Sequence, residues 1–124
     1  MTILIDSDIL IEVTRGRDAG ILSRWEDLSA SDAVILCSPV TVAELWQGAR
    51  KEEHGSLANL FSSLVCVPID AKIGQVAGDL LRQFRKSHGL ELGDALIAAG
   101  TLTNSAVLWT RNRKHYPMAE LAFY

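Results

Sequence analysis

The stretch Met1–Val13, MTILIDSDILIEV, decides the fold of this chain. Its apolar run Ile3–Ile5 predicts a buried β-strand that ends at Asp6, and the residues that follow, with Asp8 in the first turn, predict a helix. Two carboxylates therefore come at the carboxyl end of a buried strand. In open α/β sheets ligands bind outside the carboxyl ends of the strands, so this stretch predicts an α/β domain whose chemistry lies at the end of the first strand.

Length and composition fit one globular domain over residues 1–124. The chain has 48% hydrophobic and 22% charged residues, and a chain of this length buries roughly two-thirds of its unfolded surface. No apolar run approaches the roughly 18 residues of a membrane helix, and no basic leader follows Met1, so we expect a cytoplasmic protein. A net charge of −3 argues against a protein that coats nucleic acids, since such proteins are usually basic. Cys37 and Cys66 lie in apolar runs and are expected to be buried, reduced thiols.

Strand and helix patterns alternate along the rest of the chain. Further strands are predicted over Val34–Cys37, Val65–Ile69 and Ala106–Trp109, with a last edge strand over Leu121–Tyr124. Helices are predicted over 8–14, 18–29, 40–50, 54–64 and 71–88, and from Gly93 onwards. This order implies helices on both faces of a parallel sheet. We therefore expect a three-layer α/β/α domain with a sheet of four to five strands.

Four polar residues interrupt apolar surroundings at the ends of strands or near the start of helices. They are Asp6, Glu44, Asp94 and Asn112. Each aspartate could simply cap a helix, and Glu44 could be a surface charge. Clustered carboxylates, however, repel one another and take up protons unless a cation neutralises them. Carboxylate and amide oxygens suit Mg²⁺ or Mn²⁺, whereas the lack of paired His or Cys ligands argues against zinc.

The same residues lie in four short motifs that resemble the PIN-domain ribonuclease family, and within it the VapC-type toxins of type II toxin–antitoxin modules. ILIDSDILIE is similar to the opening strand of the family with its first acid, and SPVTVAELWQGA to its second motif. LGDALIAAGTL is similar to the third motif and LWTRNRKHYP to the fourth. The four motifs occur in the family's order over essentially the whole chain. Two positions depart from it: Asn112 stands where many members carry Asp, and Asp8 where many carry Asn.

The resemblance implies a Mg²⁺- or Mn²⁺-dependent endoribonuclease with a PIN-like fold. Asp6, Glu44 and Asp94 would hold the metal, Asp8 would position the first acid or bind the metal through water, and Asn112 would assist. An activated water would attack phosphorus in line and the 3′ oxygen would leave, which predicts 5′-phosphate ends. The resemblance also implies inhibition by a cognate antitoxin protein and a homodimer.

Basic and aromatic side chains supply candidate interaction surfaces. The residues Arg111, Arg113, Lys114 and His115 cluster beside the fourth motif and could hold RNA phosphates, although a solvated basic loop would look the same. His54, His88 and His115 show no metal-ligand spacing and are expected at the surface. Trp25, Trp46, Leu60 and Phe61 could line a groove for an antitoxin helix or a dimer face. Of the two tryptophans, one is expected at such an interface.

Two other functions share some of these residues. A phosphohydrolase of the haloacid dehalogenase type would use Asp6 as nucleophile, but Ala98 stands where a second late acid is wanted and Glu44 would have no role. A phosphate-receiver signalling domain would need Asp70 as the acceptor, although Asp70 lies far along the chain for a central strand. A catalytically inactive relative would not be expected to retain three acids.

Overall fold

The computed structural model describes every residue from Met1 to Tyr124. Its sheet consists of β1 (Thr2–Ile5), β2 (Val34–Cys37), β3 (Val65–Cys66) and β4 (Val107–Trp109). All strands are parallel and lie in the order β3-β2-β1-β4, so the strand of the opening stretch is central. Ile5 pairs with Trp109. The carboxyl ends of β1 and β4 are therefore neighbours, at the point where the chain switches sides of the sheet.

Six helices cover the sheet. They are α1 (Ser7–Arg15), α2 (Ala19–Ser29), α3 (Pro39–Gln47), α4 (His54–Ser62), α5 (Ala71–His88) and α6 (Leu92–Thr103), and single 3₁₀ turns span Lys51–Glu53 and Arg113–His115. The side chains of Asp6, Asp18, Ser38 and Asp70 each accept a hydrogen bond from a backbone N–H at the start of a helix. Such caps stabilise a helix by about 1 kcal/mol each. The helices α1 and α5 end at glycines with positive φ, Gly16 and Gly89.

Two hydrophobic cores lie on opposite faces of the sheet. Because successive side chains of a strand point to opposite faces, Leu4 packs into the core formed with α5 and α6, whereas Ile3 and Ile5 pack into the core formed with α1, α2 and α4. All three side chains are fully buried. The three-layer α/β/α architecture with a parallel sheet, predicted from the sequence, is confirmed.

The edges of the sheet differ from the prediction. The strand expected over Val65–Ile69 has only two residues, because its partner β2 ends at Cys37, whose carbonyl accepts from the N–H of Val67 at 2.9 Å. The strand expected over Leu121–Tyr124 is reduced to a single bridge between Phe123 and Leu108. The sheet therefore has four strands. Because β3 lies at its edge, Cys66 is exposed, and the prediction that it is buried is wrong; Cys37, on the inner strand, is buried.

The observed boundaries of some helices differ from the predicted ones by a few residues. The helix expected over 40–50 ends at Gln47, where Gly48 begins a turn, and the helix expected from Gly93 begins at Leu92. None of the helices combines the length and the hydrophobicity needed to cross a bilayer.

Candidate active site

A cavity of about 420 Å³ opens at the carboxyl ends of β1 and β4. Its lining includes every acid and amide that the sequence singles out, namely Asp6, Asp8, Glu44, Asp94 and Asn112. Of its 12 lining residues only Ile11 and Leu90 are hydrophobic. The polar residues that the motifs contribute therefore converge on one strongly acidic site.

Asp6 is the most firmly held of these acids. It follows β1 directly, and 8% of its surface is exposed. Its Oδ1 accepts from the backbone N–H of Ser7 at 2.8 Å, and its Oδ2 accepts from the hydroxyls of Thr110 at 2.9 Å and Tyr116 at 2.8 Å. Three donors from two distant parts of the chain thus fix the orientation of this carboxylate.

Asp8 and Asn112 form a pair on the same side of the cavity. Asp8 Oδ2 accepts from the backbone N–H of Arg111 at 2.9 Å and from Asn112 Nδ2 at 3.2 Å. Asp8 Oδ1 is buried and has no hydrogen-bond partner. Burial, together with the negative charge of Asp6, raises the pKa of Asp8 above its ordinary value. One oxygen of this carboxylate therefore lacks a hydrogen-bond donor.

Glu44 reaches the cavity from α3 and is positioned by α1. Its Oε1 accepts from the hydroxyl of Ser7 at 2.9 Å. The Ser7 hydroxyl also lies 3.0 Å from the hydroxyl of Thr41, one turn before Glu44, and Thr41 is fully buried. A buried hydroxyl pair thus connects the first turns of α1 and α3 and orients an otherwise exposed carboxylate.

Asp94 enters from the first turn of α6. Its Oδ1 lies 3.5 Å from the hydroxyl of Tyr116, and its Oδ2 lies 4.0 Å from Nδ1 of His115. Burial first, and then the negative charge of Asp6, raises the pKa of Asp94 above its ordinary value. Asp6 is thus close enough to Asp94 to disfavour the charged form of Asp94.

The donor chemistry of the cavity fits a divalent cation. Its oxygens are the hard ligands that Mg²⁺ and Mn²⁺ prefer, and the unpartnered Oδ1 of Asp8 and the raised pKa values both indicate uncompensated negative charge. The arrangement is not a preassembled cluster, since no three His, Cys, Asp or Glu side chains stand close enough together to hold an ion. Ligation would therefore require the carboxylates to turn towards a common point.

The basic residues of the fourth motif separate into two pairs. Arg111 points to α1, where it lies 3.4 Å from Glu12, and Arg113 stacks over the ring of Phe123 with its guanidinium 5.0 Å from the ring centre. His115, by contrast, lines the cavity, and Lys114 beside it is exposed. Intramolecular contacts thus occupy the two arginines.

Several residues of the site have no counterpart in the sequence-based predictions. Ser7, Thr110 and Tyr116 donate hydrogen bonds to the predicted acids, and His88 and Gly89 line the cavity from the end of α5. Ser7 and Thr110 are adjacent in sequence to predicted site residues, so their position in the chain could have indicated them. Tyr116 lies within the fourth motif, but its hydroxyl contacts depend on the tertiary fold.

The geometry does not favour the two alternative functions. Asp70 caps α5 through the N–H of Ile73 and lines a separate cavity of about 230 Å³, so it is not the acceptor in a shared acidic site. Ala98 is fully buried in the core, and Glu44 lies in the cavity, where a dehalogenase-type mechanism has no use for it.

Comparisons with known proteins agree with this geometry. Residues 3–121 match the model of the PIN domain family. Ribonuclease VapC10 of Mycobacterium tuberculosis is 38% identical over 119 residues, which are 95% of this chain and 88% of that protein. A toxin–antitoxin complex from Klebsiella pneumoniae contains a chain that is 26% identical, with a TM-score of 0.73, covering 94% of this chain and 92% of that one.

A VapBC2 complex from Rickettsia felis, bound to a DNA fragment from its promoter, contains a chain with a TM-score of 0.80 at 23% identity. That alignment covers 100% of this chain and 98% of the other, so the two share the whole fold. Together with the family match over residues 3–121 and the 38% identity to VapC10, this means that the chain belongs to the PIN-domain family and, within it, to the VapC ribonucleases.

Proposed function

We propose that this protein is a Mg²⁺- or Mn²⁺-dependent endoribonuclease that acts as the toxin of a toxin–antitoxin module. The observation that carries the proposal is the convergence of Asp6, Asp8, Glu44, Asp94 and Asn112 on one cavity. The alignment with Ribonuclease VapC10 of Mycobacterium tuberculosis covers 95% of this chain. The name of that relative supports RNA as the substrate class.

Asp6, Glu44 and Asp94 are the proposed metal ligands, with Asp8 acting through water and Asn112 assisting. A bound divalent cation would supply the positive charge that activates water and stabilises the negative charge that develops on the oxygens of the reacting phosphate. Asp6 is the anchor of this set, because three donors already hold its carboxylate in one orientation. The amide of Asn112 keeps Asp8 turned towards the cavity through the 3.2 Å hydrogen bond.

Lys114 and His115 are the proposed contacts to the RNA phosphates beside the scissile bond. His115 lines the cavity and Lys114 is exposed next to it, so both lie within reach of a strand whose phosphate enters the acidic site. Arg111 and Arg113 contribute indirectly, by tying the loop after β4 to α1 and to the last residues of the chain. With in-line attack by water, the 3′ oxygen leaves and the product carries a 5′-phosphate.

A cognate antitoxin and a second copy of the chain are the proposed protein partners, in the cytoplasm. The toxin–antitoxin complex from Klebsiella pneumoniae, 26% identical to this chain, supports the first, and the homodimer rests on the family resemblance. Trp46 is the better candidate of the two tryptophans for such an interface, since it is 36% exposed. Its ring is tilted against that of His54, with 4.8 Å between the ring centres. Trp25 is half-buried.

Cleavage of a mixed RNA pool by purified, antitoxin-free protein tests the proposal. We expect cutting in Mg²⁺ or Mn²⁺, none in EDTA, and loss of cutting in Asp94→Asn. The matched control is Asp79→Asn, which neutralises an exposed acid that pairs with Arg82 on α5 and should leave cleavage unchanged. Equal cleavage in EDTA, or full activity of Asp94→Asn, would refute the proposal.

A further inference from the structure

The hydroxyl of Tyr116 lies between two acids of the cavity that come from distant parts of the chain, Asp6 and Asp94. It follows the 3₁₀ turn Arg113–His115 and is 3% exposed. Its hydroxyl donates to Asp6 Oδ2 at 2.8 Å and lies 3.5 Å from Asp94 Oδ1. A phenol has a single hydrogen to donate, and the shorter distance assigns that hydrogen to Asp6.

This hydrogen bond determines which oxygen of Asp6 stays open. A carboxylate offers about four acceptor positions, two on each oxygen. Thr110 and Tyr116 both donate to Oδ2, and the N–H of Ser7 donates to Oδ1. Both positions on Oδ2 are therefore filled, and one position on Oδ1 remains for a further ligand.

The packing of the Tyr116 ring restricts the hydroxyl that binds Asp6. The ring packs in the core formed with α5 and α6, together with Met118 and Leu121, so the hydroxyl has little freedom to move away. Being uncharged, the hydroxyl orients Asp6 without neutralising it. The negative charge thus remains available to a cation while the carboxylate of Asp6 is kept in place.

We propose that Tyr116 is a positioning residue that holds Asp6 ready for a divalent cation and thereby sets the affinity of the cavity for that ion. The inference rests on the proposed function. Groups that hydrogen-bond to metal ligands typically change metal affinity by about 10–100-fold when they are removed. The hydroxyl of Tyr116, rather than its ring, is the group that orients Asp6.

Calorimetric titration with Mn²⁺ alone, without RNA, tests the inference. Tyr116→Phe keeps the ring and should bind Mn²⁺ about tenfold more weakly, or worse. Tyr124→Phe is the matched control, since Tyr124 packs against Trp109 at 5.3 Å and does not line the cavity; its affinity should equal that of the unsubstituted protein. Equal or tighter binding by Tyr116→Phe would overturn the inference.

A second measurement needs no substitution at Tyr116. The chain has only two tyrosines, so 3-fluorotyrosine labelling gives two ¹⁹F resonances, which Tyr124→Phe assigns. Saturating Mg²⁺ should shift the resonance of Tyr116 and leave that of Tyr124 in place; an unmoved Tyr116 resonance overturns the inference. If the unsubstituted protein binds no Mn²⁺, the proposed function fails as well, whereas binding that Tyr116→Phe leaves intact refutes only the role of Tyr116.

Discussion

Replacing Ser7 by Ala should destabilise the protein mainly because it leaves the buried hydroxyl of Thr41 without its hydrogen-bond partner. The Ser7 hydroxyl donates to Glu44 at 2.9 Å and is the hydrogen-bond partner of the Thr41 hydroxyl at 3.0 Å. Glu44 is exposed, so water can replace the lost donor and this part costs about 1 kcal/mol. Thr41 is fully buried, and leaving its hydroxyl unpaired costs about 1–3 kcal/mol. We expect the free energy of unfolding to fall by about 2–4 kcal/mol in total.

Urea unfolding of the metal-free protein measures this loss, and a double-mutant cycle identifies its cause. Removing both hydroxyls leaves no unpaired group, so Ser7→Ala combined with Thr41→Val should cost no more than Ser7→Ala alone. The control Ser63→Ala removes an exposed hydroxyl that donates to the carbonyl of Leu60, and should change stability by less than about 0.5 kcal/mol. A double variant that costs the sum of the two single substitutions would refute the argument.

Three further predictions concern charge and exposure. Burial and the charge of Asp6 raise the pKa of Asp94 above its ordinary value of 3.8, so the folded protein binds a proton on Asp94 more tightly than the unfolded chain does. The protein therefore loses stability as the pH rises from 3.8 through the raised pKa of the folded state. In EDTA, Asp94→Asn should therefore raise Tm most at pH 7, and the gain should shrink towards pH 4; a constant or negative difference in differential scanning fluorimetry would contradict this. Lys114→Ala should weaken RNA binding and reduce the slope of log affinity against log salt by about 0.7, whereas Lys72→Ala, which lies at the separate cavity, should not; equal salt slopes would argue against a phosphate contact. Cys66 is exposed, while burial and the neighbouring Cys66 thiol raise the pKa of Cys37 to about 12, so a thiol reagent should modify one cysteine in the native protein and the second only on unfolding; two rapid reactions would refute it.

Most of the fold could be predicted from the sequence, because each central strand or helix has a characteristic local pattern of apolar residues. The apolar run Ile3–Ile5 predicted the central strand, and the stripe of apolar residues between Ile73 and Phe84 predicted α5. What local patterns lack is the order of the strands. Cys37 and Cys66 look alike in sequence, yet one lies on an inner strand and the other on the edge.

The acids of the site were predictable because each follows a strand or lies in the first turns of a helix. Their partners were less so, since Tyr116 is 110 residues from Asp6 in the chain and meets it only once β1 and β4 are paired. The orientation of the Arg111 side chain was equally unpredictable from the sequence. It depends on Glu12, a buried carboxylate that also binds Arg17 at 3.1 Å, and nothing near Arg111 in sequence indicates that contact.

The chemistry of the cut RNA ends tests the central claim most directly. If water attacks in line within the acidic cavity, end mapping of the products will find 5′-phosphates and 3′-hydroxyls, formed only when a divalent cation is present. Products that end in 2′,3′-cyclic phosphate and 5′-hydroxyl, formed equally in EDTA, would mean that the RNA's own 2′-hydroxyl is the nucleophile. That result would contradict the account of Asp6, Glu44 and Asp94 as a metal-dependent hydrolytic site.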